Sequence, residues 1–248
     1  MTPPVGTAPQ PSHPDEEAVA VLGDREYTYR GGFRADVNYL GLVYSSSKLK
    51  RWLDFVVSLF LLIVFSPLCL VNIILILCED GGPVLFRQRR VGCGGREFVV
   101  LKFRTMKVNA EQELEQWRQC ETELWQKYLA NNFKLRNDPR VTSIGRFLRR
   151  HSLDEVPQLW NVLRGEMSMV GPRPLLASEL PQYGAVASNY KRVKPGITGL
   201  WQVRGRSETR FSDRALYDSL YIKRASFGLD IKILMATIRV LLLPSGAF

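Results

Sequence analysis

The chain has 248 residues, of which 46% are hydrophobic, and it carries a formal net charge of +10 with a pI of about 9.6. This length suits one domain with or without a tail. The positive charge favours anionic partners such as phosphorylated substrates, nucleic acid or a membrane surface. Four cysteines, Cys69, Cys78, Cys93 and Cys120, show no C-x-x-C spacing. They give no support to a zinc site or to the disulfide framework of a secreted protein, and they suit the cytosol.

Residues 1–45 are predicted to form a disordered N-terminal tail. Residues 1–14 contain five prolines, and no periodic apolar face appears before Tyr39. A signal peptide is not expected, because the segment lacks a basic start followed by an apolar core. We therefore expect a solvated extension without chemistry of its own.

Residues 46–80 contain the longest apolar run of the chain. A basic collar at residues 48–54 precedes residues 55–78, which carry no formal charge. That run is long enough for a membrane helix, which needs roughly twenty residues. A buried helix of a soluble protein is the alternative, although such helices rarely lack a polar face over this length.

Two membrane paths are compatible with this segment. Ser66-Pro67 lies near its centre, where proline removes a backbone hydrogen bond and kinks or breaks a helix. Basic residues flank the segment on both sides, and the positive-inside rule then keeps both ends in the cytoplasm. This favours a re-entrant helix hairpin broken at Ser66-Pro67. A single span stays open, because large downstream domains can translocate regardless of their charge.

Residues 81–248 are predicted to form a cytosolic domain of mixed helices and strands. Two extended runs, 84–88 and 97–102, flank a glycine-rich segment and indicate a β-hairpin. Apolar periodicity predicts five helices, the last of them at the membrane interface. Their expected ranges are 108–133, 141–150, 153–163, 212–224 and 229–243. The fold class is therefore α+β, with interfacial helices and a re-entrant membrane segment.

Asp154 and Glu155 are the foremost candidates for catalysis. They follow a cationic cluster at residues 149–151, and residues 152–155 have the form of a capping box with Ser152 as N-cap. The N-terminus of a helix attracts anions through its N–H groups and its dipole. An Asp-Glu pair is more often only a solvated helix start, but carboxylates set among cations beside such a terminus indicate phosphoryl chemistry.

Two further segments combine arginine with proline or glycine. Arg173 is held between Pro172 and Pro174, and its constrained backbone could present the guanidinium to a phosphate or could brace the membrane hairpin. Residues 193–206 form a turn-rich, cationic loop that ends at Arg206. Its glycines permit close approach to a ligand, and they could equally serve tight turns alone.

These motifs together resemble one known family, the bacterial monotopic phosphoglycosyl transferases, also called polyprenyl-phosphate sugar-1-phosphate transferases. The resemblance covers residues 48–243 and rests on motifs in the family's order. They are Asp54, Ser66-Pro67, Phe86-Arg87-Gln88-Arg89 with Gly92, and the segments 102–106, 152–155, 170–174 and 194–206. The chain resembles the family's minimal form, which lacks an optional four-helix N-terminal region.

The resemblance implies an enzyme on the cytosolic face of the bacterial inner membrane. Such an enzyme would transfer a sugar-1-phosphate from a UDP-sugar to polyprenyl phosphate, with undecaprenyl phosphate as the expected acceptor, and would release UMP. The reaction would be the first membrane step of a polysaccharide or glycoconjugate pathway. The family's membrane helix is re-entrant and broken at the Ser-Pro pair. No residue identifies the sugar, and we expect a glucose- or galactose-type hexose before an amino sugar.

The resemblance also implies roles for individual residues. Asp154 would be the nucleophile that forms a covalent phosphosugar intermediate, and Glu155 would manage the proton of the pair. Both carboxylates would bind Mg²⁺, which prefers one or two carboxylates together with phosphate oxygens. The expected substrate-binding residues are Arg149, Arg173, Arg206, Lys102, Arg104 and Asp218. Structural roles are expected for Ser66, Pro67, Pro172 and Pro174.

Two other classes of function compete with this one. A non-catalytic membrane-anchored scaffold would explain the apolar run and the charge, but not the grouping of Arg, Pro and Gly motifs around one carboxylate pair. A nucleic-acid-binding protein would explain the pI, but no recognisable binding motif is present. The expected partners are therefore a UDP-sugar, polyprenyl phosphate and membrane lipids, without nucleic acid. A homodimer is left open.

Overall fold

The computed structural model describes residues 39–130, 135, 137–204 and 211–242. These residues form helices and two small sheets, which confirms the predicted α+β class. Residues 1–38 of the predicted tail lie outside the described residues. The last residues of that predicted tail form a helix, α1 (Tyr39–Ser45), because Leu42 on this helix is buried against the domain.

The long apolar segment forms α2 (Lys48–Asp80), and eight helices follow it. In the described residues they are α3 (Ala110–Gln119), α4 (Glu123–Ala130), α5 (Ser143–Arg150), α6 (Gln158–Arg164), α7 (Val186–Tyr190), α8 (Leu200–Arg204), α9 (Phe211–Arg224) and α10 (Phe227–Leu242). The single helix predicted at 108–133 is two helices, because Glu121 between them adopts a left-handed φ of 45°. The predicted helices at 141–150, 212–224 and 229–243 are confirmed with small shifts of their ends.

Two sheets of two strands each complete the fold. β1 (Leu85–Val91) and β2 (Glu97–Phe103) form the predicted antiparallel hairpin, with Leu85 opposite Phe103. Gly94 and Gly95 in the turn both have a positive φ, which favours glycine there. The sequence did not predict the second sheet, in which β3 (Ser168–Val170) pairs in parallel with β4 (Gly196–Thr198).

Helix α2 keeps most of its apolar surface exposed. Ser47 caps its start by accepting a hydrogen bond from the Lys50 backbone N–H at 3.1 Å. Phe60 and Ile63 near the middle are 62% and 65% exposed. Among the described residues, α2 is the one helix long and apolar enough to cross a membrane. A large exposed apolar surface of this kind is suited to contact with lipid.

Helical structure continues through Ser66 and Pro67, where the sequence predicted a break. Pro67 has no N–H, so the Ile63 carbonyl four residues earlier loses its usual backbone donor. The Ser66 hydroxyl donates a 2.7 Å hydrogen bond to that carbonyl instead. The Ser-Pro pair therefore leaves no unpaired carbonyl at this position, which an apolar environment would penalise.

Both halves of α2 contact the same part of the domain. On the N-terminal side, Arg51 donates hydrogen bonds to two carbonyls near the end of α6. On the C-terminal side, Ile76 packs in a cluster with Phe103 of β2, and β2 is itself bonded to Asn161 of α6. A straight helix would hold Arg51 and Ile76 about 37 Å apart. These contacts indicate that α2 bends between its halves, and the re-entrant path stays a prediction.

A buried ionic network fixes the N-terminal half of α2 to the domain. Lys50 Nζ lies 2.6 Å from Asp230 Oδ2 and 3.2 Å from Asp54 Oδ1. Asp54 Oδ1 also accepts a hydrogen bond from the Ser168 hydroxyl at 3.0 Å. Two hydroxyl donors complete the environment of Asp230: Tyr44 and Tyr221. Because every buried charge in this network has partners, the network fixes where α2 leaves the domain.

We predict that Ser66→Ala lowers the stability of the protein in lipid nanodiscs by about 1–3 kcal/mol, because the Ile63 carbonyl loses its donor. Adding Pro67→Ala should recover most of that loss, since residue 67 then has an N–H to donate. Ser58→Ala is the matched control, because the Ser58 hydroxyl also bonds a carbonyl of α2, but one with its usual backbone donor. Denaturant unfolding of wild type and these three variants checks this. A double variant Ser66→Ala/Pro67→Ala that is as unstable as Ser66→Ala would contradict the prediction.

Candidate active site

A hydrophobic cluster underlies the Asp154-Glu155 pair. Its buried members come from α2, β2 and α5 and are Ile76, Phe103 and Leu148. Leu153 and Val156, which flank the pair in the sequence, pack against this cluster. The position of the two carboxylates is therefore set by apolar packing that includes the long helix.

The turn that carries the pair differs from the sequence prediction. Ser152 adopts a left-handed conformation and makes no capping hydrogen bond, and Leu153–Glu155 form one 3₁₀ turn. Helix α6 begins only at Gln158. The predicted capping box and helix start at Ser152 are wrong because Pro157 has no N–H to bond the Leu153 carbonyl. The Val156 N–H bonds that carbonyl instead and closes a tighter turn.

Lys102 contacts both carboxylates. Its Nζ lies 2.6 Å from Glu155 Oε1 and 4.0 Å from Asp154 Oδ2. The side chain projects from β2, where Lys102 is paired with Phe86 of β1. The hairpin therefore holds a positive charge against the pair, and Lys102 meets the carboxylates of the protein itself.

The two carboxyl groups have opposite pKa shifts. Burial and the nearby charge of Glu155 raise the pKa of Asp154 to about 6, against the opposing effects of Lys102 and Arg149. Burial would also raise the pKa of Glu155, but the ion pair with Lys102 outweighs it and lowers that pKa. Near pH 7 both groups are ionised, and Asp154 is the first to take up a proton as the pH falls.

Two arginines add positive charge near the pair. Arg149 in the last turn of α5 donates a hydrogen bond from Nε to Thr105 Oγ1 at 2.9 Å, and its charge lowers the pKa of Asp154. Arg173 acts in the same direction on Glu155. Guanidinium groups placed in this way can bind the phosphates of a ligand. The structure thus brings together five of the predicted site residues: Asp154, Glu155, Lys102, Arg149 and Arg173.

The prolines on either side of Arg173 accept hydrogen bonds through their backbone carbonyls. The Pro172 carbonyl accepts a hydrogen bond from the Gly196 N–H at 2.8 Å, next to the β3–β4 pairing. The Pro174 carbonyl accepts one from Arg90 Nη1 at 3.1 Å. The Pro-Arg-Pro turn is therefore tied to both sheets, and a Cβ at Gly196 would overlap the Gly171 backbone nitrogen.

Asp218 and Trp201 position Arg173. Asp218 is fully buried and accepts hydrogen bonds from the Arg173 backbone N–H and, at 3.0 Å, from the Tyr183 hydroxyl. Burial raises the pKa of Asp218 to about 7, against the effect of these hydrogen bonds. The Arg173 guanidinium lies 5.5 Å from the centre of the Trp201 ring, within cation–π range. Asp218 thus supports Arg173 from within the core, and its predicted contact with substrate stays a prediction.

Arg104 has a structural role, and its predicted contact with substrate stays a prediction. It is 7% exposed, and its guanidinium donates hydrogen bonds to the carbonyls of Asp80, Gly81 and Gly82. The carbonyls at the end of a helix lack backbone partners and favour a cation. Arg104 therefore fastens the C-terminus of α2. Arg206 lies outside the described residues.

The carboxylates fit magnesium only in combination with a substrate. No group of three or more His, Cys, Asp or Glu side chains gathers within the described ranges. Mg²⁺ is commonly held by one or two carboxylates together with phosphate oxygens and water. Asp154 and Glu155 are two adjacent donors of this kind.

The sequence did not point to three residues that support the site. Gln158 forms a side-chain hydrogen bond with Glu155, while Tyr183 and Trp201 hold Asp218 and Arg173 as described above. Gln158 could have been suggested from the sequence, because it follows Glu155 by about one helical turn. Trp201 lies within the cationic, glycine-rich segment 193–206, and an aromatic ring close to arginines there was a usable sign of cation–π contact.

The site and α2 together define an α+β protein with a membrane-length apolar helix and a carboxylate pair surrounded by cations. The model of the bacterial sugar transferase family matches residues 45–244. The chain therefore belongs to the bacterial sugar transferase family.

Relatives with curated names agree with this membership. The chain is 45% identical over 205 residues to the UDP-galactose-lipid carrier transferase of Erwinia amylovora, covering 83% of this chain and 43% of the relative. It is 43% identical over 207 residues to the undecaprenyl-phosphate galactose phosphotransferase of Salmonella typhimurium, covering 82% and 42%. It is 41% identical over 199 residues to the exopolysaccharide production protein ExoY of Rhizobium meliloti, covering 80% and 88%. The chain thus spans less than half the length of the first two relatives.

We predict that Lys102→Met raises the pKa of Asp154 from about 6 to about 7 or higher, because the lost positive charge stabilised the ionised carboxylate. The ¹³Cγ chemical shift of Asp154 against pH, assigned with Asp154→Asn, measures this in detergent-solubilised protein. Lys127→Met is the control, since Lys127 pairs with Glu123 on the surface. An unchanged titration in Lys102→Met would contradict the predicted electrostatics of the pair.

Proposed function

We propose that the protein transfers a sugar-1-phosphate from a UDP-sugar to a polyprenyl phosphate, with undecaprenyl phosphate as the acceptor, and releases UMP. The names of the relatives support transfer of a sugar phosphate to a lipid carrier. The observation that carries the proposal is the Asp154-Glu155 pair with Lys102 Nζ 2.6 Å from Glu155. A carboxylate pair surrounded by cations in this way favours an enzyme over a scaffold.

Asp154 is the nucleophile in this proposal. With a pKa of about 6, the Asp154 carboxylate is ionised near pH 7. It is also more basic than an aspartate with an ordinary pKa. Lys102 neutralises Glu155, so the approach of a second anion is opposed less strongly by the pair. Turnover should fall as the pH decreases through about 6, because a protonated Asp154 cannot attack.

The proposed reaction has two displacement steps at one phosphorus. In the first step an oxygen of Asp154 bonds to the phosphorus that carries the sugar, and the bond from that phosphorus to the bridging oxygen breaks. UMP leaves with that oxygen and its electron pair. In the second step a phosphate oxygen of the lipid acceptor bonds to the same phosphorus and the Asp154 oxygen leaves. The products are a polyprenyl diphosphate sugar and the regenerated carboxylate.

The cations around the pair bind and orient the phosphates. Arg149 and Arg173 reach the pair from different elements and can neutralise diphosphate oxygens as charge moves between them. We expect Asp154 and Glu155 to hold Mg²⁺ with the donor diphosphate, and the ion would supply charge neutralisation there. Lys102 keeps Glu155 ionised and therefore able to act as a ligand. Arg206, by family resemblance, is expected to join this group.

Membrane placement is the second part of the proposal. We infer that α2 enters the inner membrane from the cytosolic face and returns, because both of its halves contact one domain. Helix α10 adds a stripe of exposed apolar side chains at helical spacing, namely Phe227, Ile231, Met235, Ile238 and Leu241. Such a helix suits the membrane interface. The acceptor phosphate lies at the same depth, so the carboxylate pair would reach it without extracting the lipid.

The donor is proposed to be a UDP-hexose. Two relatives have names that specify galactose, and this supports UDP-galactose as the first donor to test, followed by UDP-glucose. The product would then begin a polysaccharide, since another relative is named for exopolysaccharide production.

The test uses detergent-solubilised full-length protein with undecaprenyl phosphate, Mg²⁺ and a panel of UDP-sugars, and it follows UMP release. Wild type should release UMP with at least one donor, and Asp154→Asn should lower the rate by at least about a thousandfold, because the nucleophile is lost. Glu111→Gln is the control, because it removes an exposed carboxylate on α3.

Two results would contradict the proposal. Asp154→Asn with the activity of wild type would exclude Asp154 as the nucleophile. Folded wild type that releases no UMP with any donor would favour the scaffold, provided that membrane association persists. Loss of activity in Glu111→Gln would show that the assay responds to carboxylate loss in general.

A further inference from the structure

A second group of positive charges lines a separate cavity. The cavity has a volume of about 210 Å³ and lies where the start of α2, the β1–β2 turn and residues 192–194 meet. Its cationic lining residues are Lys50, Arg51, Arg192 and Lys194. The cavity reaches the hairpin turn, where Cys93 is part of its lining. Lys102, which contacts the Asp154-Glu155 pair, lies toward the other end of β2, about 17 Å along the strand from Glu97 beside the turn. The cavity is therefore distinct from the Asp154-Glu155 site.

The described carboxylates balance only part of the charge of this cavity. Lys50 pairs with two of them, Asp54 in the described lining and Asp230 outside it, so one negative charge of that network remains against the three other cations of the lining. Arg51 donates its hydrogen bonds to neutral backbone carbonyls. Arg192 and Lys194 form no ion pair with any carboxylate in the part of the chain that the structure describes. The cavity consequently carries a net positive charge, which suits an anion.

Two of these cations approach the same point. Arg51 Nη2 and Lys194 Nζ lie 3.5 and 3.6 Å from the position that a Cβ on Gly165 would occupy. Burial and the charge of Arg51 both lower the pKa of Lys194. Like charges held together away from water repel, and a bound anion relieves that repulsion. The two cations thus lie together beside the carbonyls at the end of α6, at the edge of the cavity that both of them line.

The cavity adjoins the apolar surface at the start of α2. Leu49 and Trp52 are 54% and 66% exposed, and they share a helical turn with the lining residues Lys50 and Arg51. Tryptophan prefers the depth of lipid headgroups, where its ring is apolar and its N–H is hydrated. When α2 inserts, the cations of the cavity therefore lie level with headgroup phosphates.

We propose that this cavity binds the headgroup phosphate of an anionic phospholipid. Its volume is below the roughly 300–1,000 Å³ of pockets that enclose drug-sized ligands, so it suits a headgroup better than a nucleotide sugar. Arg192 and Lys194 would contact the phosphate, and Arg51 would connect it to the end of α6. The proposal rests on the membrane insertion in the proposed function and is independent of the transfer reaction.

The test is native mass spectrometry of the detergent-solubilised full-length protein titrated with defined lipids. Phosphatidylglycerol is the probe, phosphatidylcholine is the comparison lipid of zero net charge, and undecaprenyl phosphate and inorganic phosphate are competitors. Wild type should retain phosphatidylglycerol in preference to phosphatidylcholine. Arg192→Gln/Lys194→Gln should bind it about 25-fold more weakly, at roughly fivefold for each charge lost.

Two further variants keep the result interpretable. Arg192 is exposed, so Arg192→Gln should fold normally and weaken binding about fivefold. Arg89→Gln/Arg118→Gln removes two exposed charges elsewhere and should bind like wild type. Equal weakening by this control pair would show a general charge effect and overturn the proposed site.

The remaining outcomes separate the sources of the phosphate. Displacement of phosphatidylglycerol by millimolar inorganic phosphate would show a free-anion site and overturn the lipid assignment. Displacement by equimolar undecaprenyl phosphate would assign the cavity to the acceptor instead. UMP release measured on the same preparations distinguishes the two proposals. Selective lipid binding without UMP release would contradict the transfer reaction alone, and UMP release without selective lipid binding would contradict the lipid site alone.

Discussion

The packing of Ile76 against Phe103 and Leu148 is the contact on which the rest of the structure depends. It joins the C-terminal half of α2 to the hairpin and to the turn that carries Asp154 and Glu155. Each such buried side chain contributes about 1.5–3 kcal/mol relative to exposure, so apolar packing fixes the turn firmly. Because the buried network at Lys50 fastens the other half of α2 to the same domain, the carboxylate pair keeps a defined position relative to the apolar helix.

The electrostatics of the site are built on that packing. The arginines near the carboxylate pair are oriented by residues outside the pair. Arg149 is bonded to Thr105, and Arg173 contacts Asp218 and Trp201. Lys102 is held by the hairpin. Such a preorganised arrangement costs little reorganisation when a charged substrate binds. It also sets the pKa of Asp154 to about 6, which leaves an ionised but still basic carboxylate near neutral pH.

The sequence predicted secondary structure best where the hydrophobic pattern extends over many residues. The hairpin and the helices near residues 143 and 211 were predictable from periodicity and turn residues, and the Asp154-Glu155 pair from its cationic setting. Their detailed conformation was not, because Pro157 withholds one N–H and converts a predicted helix start into a 3₁₀ turn. The three-residue strands β3 and β4 have too little periodicity to be recognised. The roles of Arg104 and Asp218 depend on burial and on partners that are distant in the sequence, namely Asp80 and Tyr183.

The covalent step is tested most directly by acid-quenched mass spectrometry of the protein after incubation with UDP-galactose and Mg²⁺ in the absence of a lipid acceptor. The account predicts a gain in mass of one sugar phosphate, located on Asp154 within the tryptic peptide 151–164, and removal of that mass when undecaprenyl phosphate is added. Turnover by the same preparation without any labelled peptide, or with the label on Glu155, would contradict the assignment of Asp154 as the nucleophile.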